Sequence, residues 1–282
     1  MKLLVVASKK DLSCNRIIKE AEKKKIEVSK IIYGDDLKPE QLKEFDFCMI
    51  RDAYSVGKDF PDFLRTILSA FRSNQLFDDK MYEKYSPCES KQYGHPQDKL
   101  FQHLMYEKAA NMPKFWDYDS VDKIAIKSFP IVIKQKIGER GKEVFILESE
   151  EEIEDFFNKR DIKDFFFEEF LELDKDIRVI VLNHEVLGSV NRRVRFKDNQ
   201  GYKGVGVKVI GKYKVPEEIK DNAVEVSHIL GSEFCGLDFG IDKKGHHYLM
   251  ECNVSPWFSS AERILDMNIA KKIVEFILEK QN

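Results

Sequence analysis

The sequence predicts an α/β protein, α+β in its totals, with an N-terminal open parallel sheet followed by hairpin-rich segments. Three observations carry this expectation. Strand-like and helix-like patterns alternate through residues 1 to about 85, the signature of a mostly parallel sheet. Two later stretches, Asp176–Arg193 and Gly236–Asn253, each set apolar runs on either side of a short turn, as antiparallel hairpins do. The 282 residues are 43% hydrophobic and 34% charged, enough apolar surface for more than one core and too little bias for disorder.

Composition also excludes classes of function. No apolar run approaches the roughly 18 residues of a membrane-spanning helix, and the apolar part of the first ten residues is too short for a signal peptide. A net charge of −3, from 47 basic and 50 acidic residues, makes no global case for nucleic acid. The five cysteines are scattered without metal-finger spacing, so reduced thiols in a cytoplasmic protein are the expectation.

Taken in order, Lys2–Ala7 reads as a buried strand and Ser13 as the N-cap of a helix with Ile17, Ile18 and Ala21 inward. Val28–Tyr33 and Phe47–Arg51 are the next strands. Phe60–Phe77 follows as a helix with Phe63, Leu64, Ile67, Leu68 and Phe71 on one face. The turn after the first strand lacks Gly-x-Gly-x-x-Gly, so a dinucleotide fingerprint is absent. Residues 78–97 show no clear period and read as a linker. Asp98–Asn111 is expected to be helical with Leu100, Leu104, Met105 and Ala109 inward.

Phe129–Lys136 and Glu143–Leu147 then read as strands around a Gly-containing loop at 137–142. Ser149-Glu-Glu-Glu152 is a capping box for a helix to Lys159, and Phe165–Leu171 is another strand. Asp176–Leu182 and Glu185–Arg193 pair around Asn183-His184. Arg195–Gly206, with Gly201, Gly204 and Gly206, reads as a mobile loop. A helix runs from Pro216 to a cap at Gly231, and Ser259–Leu265 and Asn268–Lys280 close the chain as helices.

Chemistry concentrates in a few places. Alternation puts Leu237, Phe239 and Ile241 on one face of the 236–253 hairpin and Asp238 on the other. On the return strand it groups Leu249, Glu251 and Asn253 against Tyr248, Met250 and Cys252. If the polar faces coincide, Asp238, Glu251 and Asn253 form an oxygen-donor set for a hard cation such as Mg2+; a half-exposed hairpin with ordinary polar residues is the alternative. Lys134, mid-strand, suits nucleotide phosphates or an edge strand. The loop after it, with Gly138 and Gly141, allows close phosphate approach but is not a Walker A loop.

Glu168-Glu169-Phe170-Leu171 is a hinge that could offer backbone groups to an adenine ring, or a buried strand with a charged tip. Asp176 and Arg178 share a strand face, with Arg192 on the paired strand; phosphoryl or carboxylate binding competes with a cross-strand salt bridge. No Gly-x-Ser-x-Gly or His-Glu-x-x-His supports a hydrolase.

The order of these signals resembles the ATP-grasp superfamily, and within it the RimK-like carboxylate–amine ligases, across nearly the whole chain. Asp98-Lys99 looks like the opening of that family's first ATP-grasp helix, and Ile-Val-Ile-Lys134 with Gly138-x-x-Gly141 like its phosphate strand and loop. Glu168-Glu169-Phe-Leu171 resembles the Gln-Glu-Phe-Ile hinge, with Glu168 in place of the usual glutamine. Asp176-Ile-Arg178 and Ser189-Val-Asn-Arg192 resemble the arginine strands, and Phe196-Lys-Asp-Asn199 is a looser match to Phe-Arg-Ser-Asn. Gly236-Leu-Asp238 and Met250-Glu251-Cys-Asn253-Val-Ser-Pro256 resemble the metal motifs.

The resemblance implies an ATP-grasp fold with three parts, residues 1–88, 89–170 and 171–282. It implies ATP bound by Lys99, Lys134, the 138–141 loop, the 168–171 hinge and Asp176. Two Mg2+ ions, replaceable by Mn2+, would sit on Asp238, Glu251 and Asn253, and Arg178 and Arg192 would be the catalytic cations. Arg16, Arg51, Asn199, Ser255 and Trp257 would border the substrates, a small carboxylate and an amine or an acidic peptide or protein. Loops 137–142 and 195–206 would act as lids. A phosphotransferase and a non-catalytic nucleotide sensor are the competing readings, and homo-oligomer formation is left open.

Overall fold

The computed structural model describes residues 1–9, 11–35, 38–54, 60–87, 96–117, 129–137 and 144–281. The expected loop glycines Gly138 and Gly141 lie outside them. Strand β1 (Lys2–Ala7) is the centre of a three-stranded parallel sheet between β2 (Glu27–Ile32) and β3 (Phe47–Ile50). Its apolar run is continuous because both faces are covered. Leu3, Val5 and Ala7 pack with Cys14, Ile17 and Ala21 of α1 (Leu12–Lys23), whereas Leu4 and Val6 pack with Leu64 and Ile67 of α3 (Pro61–Ala70). The short α2 (Pro39–Leu42) lies between β2 and β3 in sequence.

Three local expectations are corrected here. The N-cap of α1 is Asp11, not Ser13: its Oδ1 accepts from the N–H groups of Ser13 (2.8 Å) and Cys14 (3.1 Å). Helix α3 stops at Ala70 and does not continue to Phe77. Phe71 and Phe77 keep the apolar pattern alive by entering the core from non-helical backbone. Part of the expected linker is helical, as α4 (Asp79–Lys84).

The second sheet has nine strands in the order β12-β11-β8-β9-β10-β6-β5-β7-β4, every neighbouring pair antiparallel. The strands are β4 (Phe115–Asp117), β5 (Ile131–Gln135), β6 (Val144–Leu147), β7 (Phe165–Glu169), β8 (Leu173–Leu182), β9 (Glu185–Asn199), β10 (Tyr202–Tyr213), β11 (Phe234–Asp242) and β12 (His247–Asn253). One face is apolar at both ends. Ile177, Val179, Leu237 and Phe239 bury against Ile219, Ala223, Val226 and Leu230 of α7 (Glu217–Leu230). Ile133, Phe145 and Phe167 bury with Phe156 of α6 (Glu150–Phe157). Each such side chain contributes about 1.5–3 kcal/mol. The chain closes with α8 (Ser259–Leu265) and α9 (Ile269–Gln281), which join the core beneath the parallel sheet.

Residues 195–206 are not a loop. Strand β9 runs on to Asn199, the chain turns through Gln200 (φ 57°) and Gly201 (φ 87°), and β10 begins at Tyr202. Glycine at 204 reflects close approach: a Cβ there would lie 2.4 Å from the Cβ of Asn199. Arg195, Lys197 and Lys203 are therefore exposed positions of a two-stranded ribbon.

The helix expected over Asp98–Asn111 is shorter, α5 (Lys99–Tyr106), with Asp98 as its N-cap; Leu100 and Ala109 are buried as expected, but the rest of the inner side differs. Leu104 is 56% exposed, while Lys99, Gln102, His103 and Tyr106 are buried. The helix joins the two ends of the nine-stranded sheet. The Gln102 carboxamide accepts from Cys252 N (2.9 Å) and donates to Cys252 O (2.7 Å) on edge strand β12. His103 reaches Glu168 of β7 at 2.6 Å and stacks on Phe115 of β4.

A buried ion pair ties the parallel sheet to the chain beyond β12. Arg51 Nε donates to Asp11 Oδ2 at 3.0 Å, with both side chains 1% exposed, and Arg51 Nη2 donates to the carbonyls of Pro256 (3.2 Å) and Ser255 (3.4 Å). Removing one partner of a buried pair strands the other charge and costs about 3–5 kcal/mol. Asp11→Ala is therefore expected to lower the free energy of unfolding in denaturant by that amount, and Asp11→Ala with Arg51→Met to recover part of it. A loss below about 1 kcal/mol would show that the pair is not a structural tie.

Candidate active site

The hairpin of β11 and β12 is the part of the site whose geometry is most constrained. Asp238 stands opposite Glu251 and Gly236 opposite Asn253, but Phe239 stands opposite Leu249, so Met250 is skipped. This β-bulge re-phases the return strand. Strict alternation groups Leu249 with Glu251 and Asn253; in the structure Leu249 and Cys252 are buried in the core, and Glu251 and Asn253 share the face of Asp238. The bulge thus brings the three oxygen donors to one face while the apolar side remains sealed.

Across the neighbouring strands that face carries a row of charges. Asp238 stands opposite Arg178, and Asp176 opposite Arg192. Arg178 grips Asp238 with both arms, Nε to Oδ1 at 2.6 Å and Nη2 to Oδ2 at 2.7 Å. Arg192 Nη1 adds a third bond to Asp238 Oδ2 at 2.8 Å and bonds Asp176 through its Nε. Burial works against ionisation of Asp238, and the two guanidiniums outweigh it, holding its carboxyl below the usual range. For Asp176 burial prevails: with the charge of Asp238 adding, it is pushed up to about 6 despite Arg192.

Register extends the face to the other end of the sheet. From Arg192 it runs through Val209 and along alternate residues of β10 to Lys203, and from there through Ile146, Val132, Glu168 and Phe115. Lys134, two residues after Val132, is on it too. Lys134 is buried and donates to Glu168 Oε1 at 2.6 Å. Lys99, also buried, opens α5 and donates its backbone N–H to Lys136 O. Glu169 is bonded twice to Lys114, Glu169 N to its carbonyl (2.9 Å) and its N–H to Glu169 Oε1 (2.8 Å), and Phe170 and Leu171 follow half-buried between β7 and β8.

The residues expected to border substrates are placed differently from one another. Arg51 is buried against Asp11, and Arg16 donates to Glu262 of α8 at 3.0 Å, so both connect parts of the chain. Ser255 Oγ accepts from Asp52 N at 3.0 Å, and Trp257 is 46% exposed. Asn199 ends β9 on the face opposite Arg192 and donates to Val144 O at 3.3 Å. Sequence reasoning missed Asp11, Gln102 and His103. The spacing of Lys99, Gln102, His103 and Tyr106 was a helical stripe that a search for apolar residues passes over.

Among the described residues no three His, Cys, Asp or Glu side chains gather as a self-sufficient metal site. The donor set is two carboxylates and a carboxamide. Glu251 forms no salt bridge among the described residues, and Asn253 Nδ2 is buried without a hydrogen-bond partner. Such hard oxygen donors fit Mg2+ of the kind that keeps water and substrate phosphates as its other ligands.

The raised carboxyl of Asp176 has a pH signature. Its folded value of about 6 lies above the unfolded value of about 3.9, so between them the native state binds more protons. The stability it contributes is complete below about pH 4 and is lost as pH rises to about 6, on the order of 2–3 kcal/mol. The stability difference between the wild type and Asp176→Asn, measured by denaturant unfolding, should fall across that window. A difference independent of pH would contradict the assignment.

Comparison with known proteins bears on the family and the fold. A model of the RimK-like ATP-grasp domain matches residues 107–277. N-acetylaspartylglutamate synthase A of Homo sapiens is 29% identical over 165 residues, 56% of this chain and 41% of that protein. Beta-citrylglutamate synthase B of Mus musculus is 27% identical over 162 residues, 55% and 41% of the two chains. The matched stretch spans about two-fifths of these relatives. Among solved structures, the ATP-grasp ligase PsnB complexed with minimal precursor is similar at a TM-score of 0.71, with 16% identity and 99% of each chain covered. PsnB with a phosphomimetic variant of its precursor, Mg and ADP gives 0.69, at 16% identity over 99% of this chain and 98% of that one. The family match covers more than half of the chain, and the curled antiparallel sheet beside a small parallel one is that of its structural neighbours: the chain belongs to the RimK-like ATP-grasp family.

Proposed function

We propose that the protein is an ATP-dependent carboxylate–amine ligase, acting through three parts at 1–88, 89–170 and 171–282. The observation that carries this reading is the single sheet face on which buried Lys134 and the row Asp176, Arg178, Arg192, Asp238, Glu251 and Asn253 all lie. Lys99 and Lys134 bind the nucleotide phosphates as point charges. Phe170 and Leu171 offer backbone groups to the adenine ring, with Glu168, Glu169 and Asp176 around the nucleotide and Gly138 and Gly141 beside its phosphates. Asp238, Glu251 and Asn253 hold Mg2+, two ions in this reading, which when bound offset charge on the β- and γ-phosphates.

A substrate carboxylate oxygen attacks the γ-phosphorus, the bond to the β-phosphate oxygen breaks, and ADP leaves with that electron pair. An amine nitrogen then attacks the acyl carbon, forming the amide and releasing phosphate and a proton. Arg178 and Arg192 stabilise charge on the transferring group with planar, paired donors. To do so they turn part of their hydrogen bonding away from Asp238.

The names of the sequence relatives support an amino acid as the amine, glutamate first. A peptide acceptor is the second reading. It is favoured by exposed Phe196 (55%) and Val207 (48%) on the β9–β10 face that continues from Arg192, by exposed Trp257, and by the precursor bound to PsnB.

Glu251→Gln is expected to abolish ADP formation while leaving the thermal transition unchanged, since Glu251 has no salt bridge to lose among the described residues. Asp238→Ala is a poorer test because it strands two guanidiniums. Amine-dependent release of ADP and phosphate, with product mass, checks the reaction. A stable phosphorylated product would show a phosphotransferase, binding without turnover a sensor, and full turnover by Glu251→Gln would refute the metal assignment.

A further inference from the structure

The proposed phosphate lysine shares its surroundings with a hinge carboxylate and an imidazole to which the ligation chemistry assigns no proton transfer. Glu168 is 0% exposed, and its Oε1 lies 2.6 Å from both Lys134 Nζ and His103 Nε2. His103 is 1% exposed, stacks on Phe115 with ring centroids 4.7 Å apart, and meets Phe166 edge-on at 5.4 Å. Its Nδ1 is buried with no hydrogen-bond partner. Glu168 is met from β5 by Lys134 and from α5 by His103. β4 brings the apolar Phe115 ring, and its Asp117 is ion-paired with Lys136 at 2.8 Å.

In this arrangement Lys134 is the counter-charge of a fully buried carboxylate. Burial pushes the Glu168 carboxyl up, and Lys134 and His103 together more than offset it, so it stays below the usual range. A nucleotide polyphosphate changes both sides of that balance. It draws the ammonium of Lys134 toward its own oxygens, and it sets further negative charge beside Glu168, which disfavours the ionised form. A buried carboxylate without compensation is strongly disfavoured, and the simplest compensation is a proton.

We infer that nucleotide binding is coupled to the uptake of one proton by the His103–Glu168 pair. The proton comes from solvent and forms an N–H bond on the imidazole or an O–H bond on the carboxyl, the two groups sharing it across their 2.6 Å contact. The orphaned Nδ1 of His103 is an acceptor with no competing donor, so the proton has a place to go. The inference rests on the reading of Lys134 as a phosphate ligand.

Calorimetric titration of the full chain with MgADP, in two buffers of different ionisation enthalpy near neutral pH, tests it. The wild type should show a buffer-dependent heat equivalent to about one proton per nucleotide, with Kd rising by up to about tenfold per pH unit on the alkaline side. Glu168→Gln keeps the shape, restores the residue that the family resemblance has at this position, and should lose that proton count. His103→Gln provides the same comparison on the other partner. Protons released by the nucleotide itself cancel between the variants. A proton count unchanged from the wild type in both variants overturns the coupling while leaving the nucleotide site standing. No binding of MgADP at all overturns the nucleotide site, and the coupling with it.

Discussion

The carboxylate of Asp238 is buried on the polar face of the nine-stranded sheet, and much of the site follows from having to compensate it. An isolated buried charge is costly, so it must be met by cations with matching geometry. Arg178 and Arg192 meet it from two strands on the same side, one of them with both arms of its guanidinium. Their positions are set by register, since Arg178 stands opposite Asp238 and Arg192 opposite Asp176. The same register fixes the opposite face, where Ile177, Val179, Leu237 and Phe239 are held by α7. A slip of one residue would expose this apolar set and bury the charges. Core and site therefore enforce each other.

The two ends of the sheet are held together by a helix whose inner side is polar. Neighbouring residues of α5 serve different ends: Gln102 completes the backbone bonding of edge strand β12, and His103 reaches β7 and β4. Lys99 on the same stripe and Lys134 across from it are thereby placed relative to the arginine row by rigid elements. Preorganisation of this kind holds charged groups at fixed positions without a cost of reorganisation.

The parallel sheet contributes through its loops. Asp11 caps α1 with one carboxylate oxygen and holds Arg51 with the other, and Arg51 continues to the carbonyls of Ser255 and Pro256. Ser13 Oγ accepts from Phe258 N, and Asp52 N bonds Ser255. The turn just beyond the donor strand β12 is thus shaped by residues more than 200 positions earlier in the chain.

By itself the sequence determined the strands with strong local patterns, the Asn183-His184 hairpin, the helix from Pro216 to Gly231, and the shared strand face of Asp176 and Arg178. These depend on alternation, capping and turn chemistry, which act over a few residues. Tertiary structure decided what local pattern could not. The bulge at Met250 lets Leu249 enter the core while Glu251 stays on the face of Asp238, and neither neighbour is visible within one strand. The 195–206 ribbon has the composition of a loop, and its partner strand and the space beside Gly204 make it a strand. Arg51 has the residue type of a substrate contact, and only the packing of Asp11 against it makes it a tie between parts of the chain. Helix α5 turns its polar stripe inward because it joins two sheet ends, and that arrangement is settled by residues brought together from β4, β7 and β12.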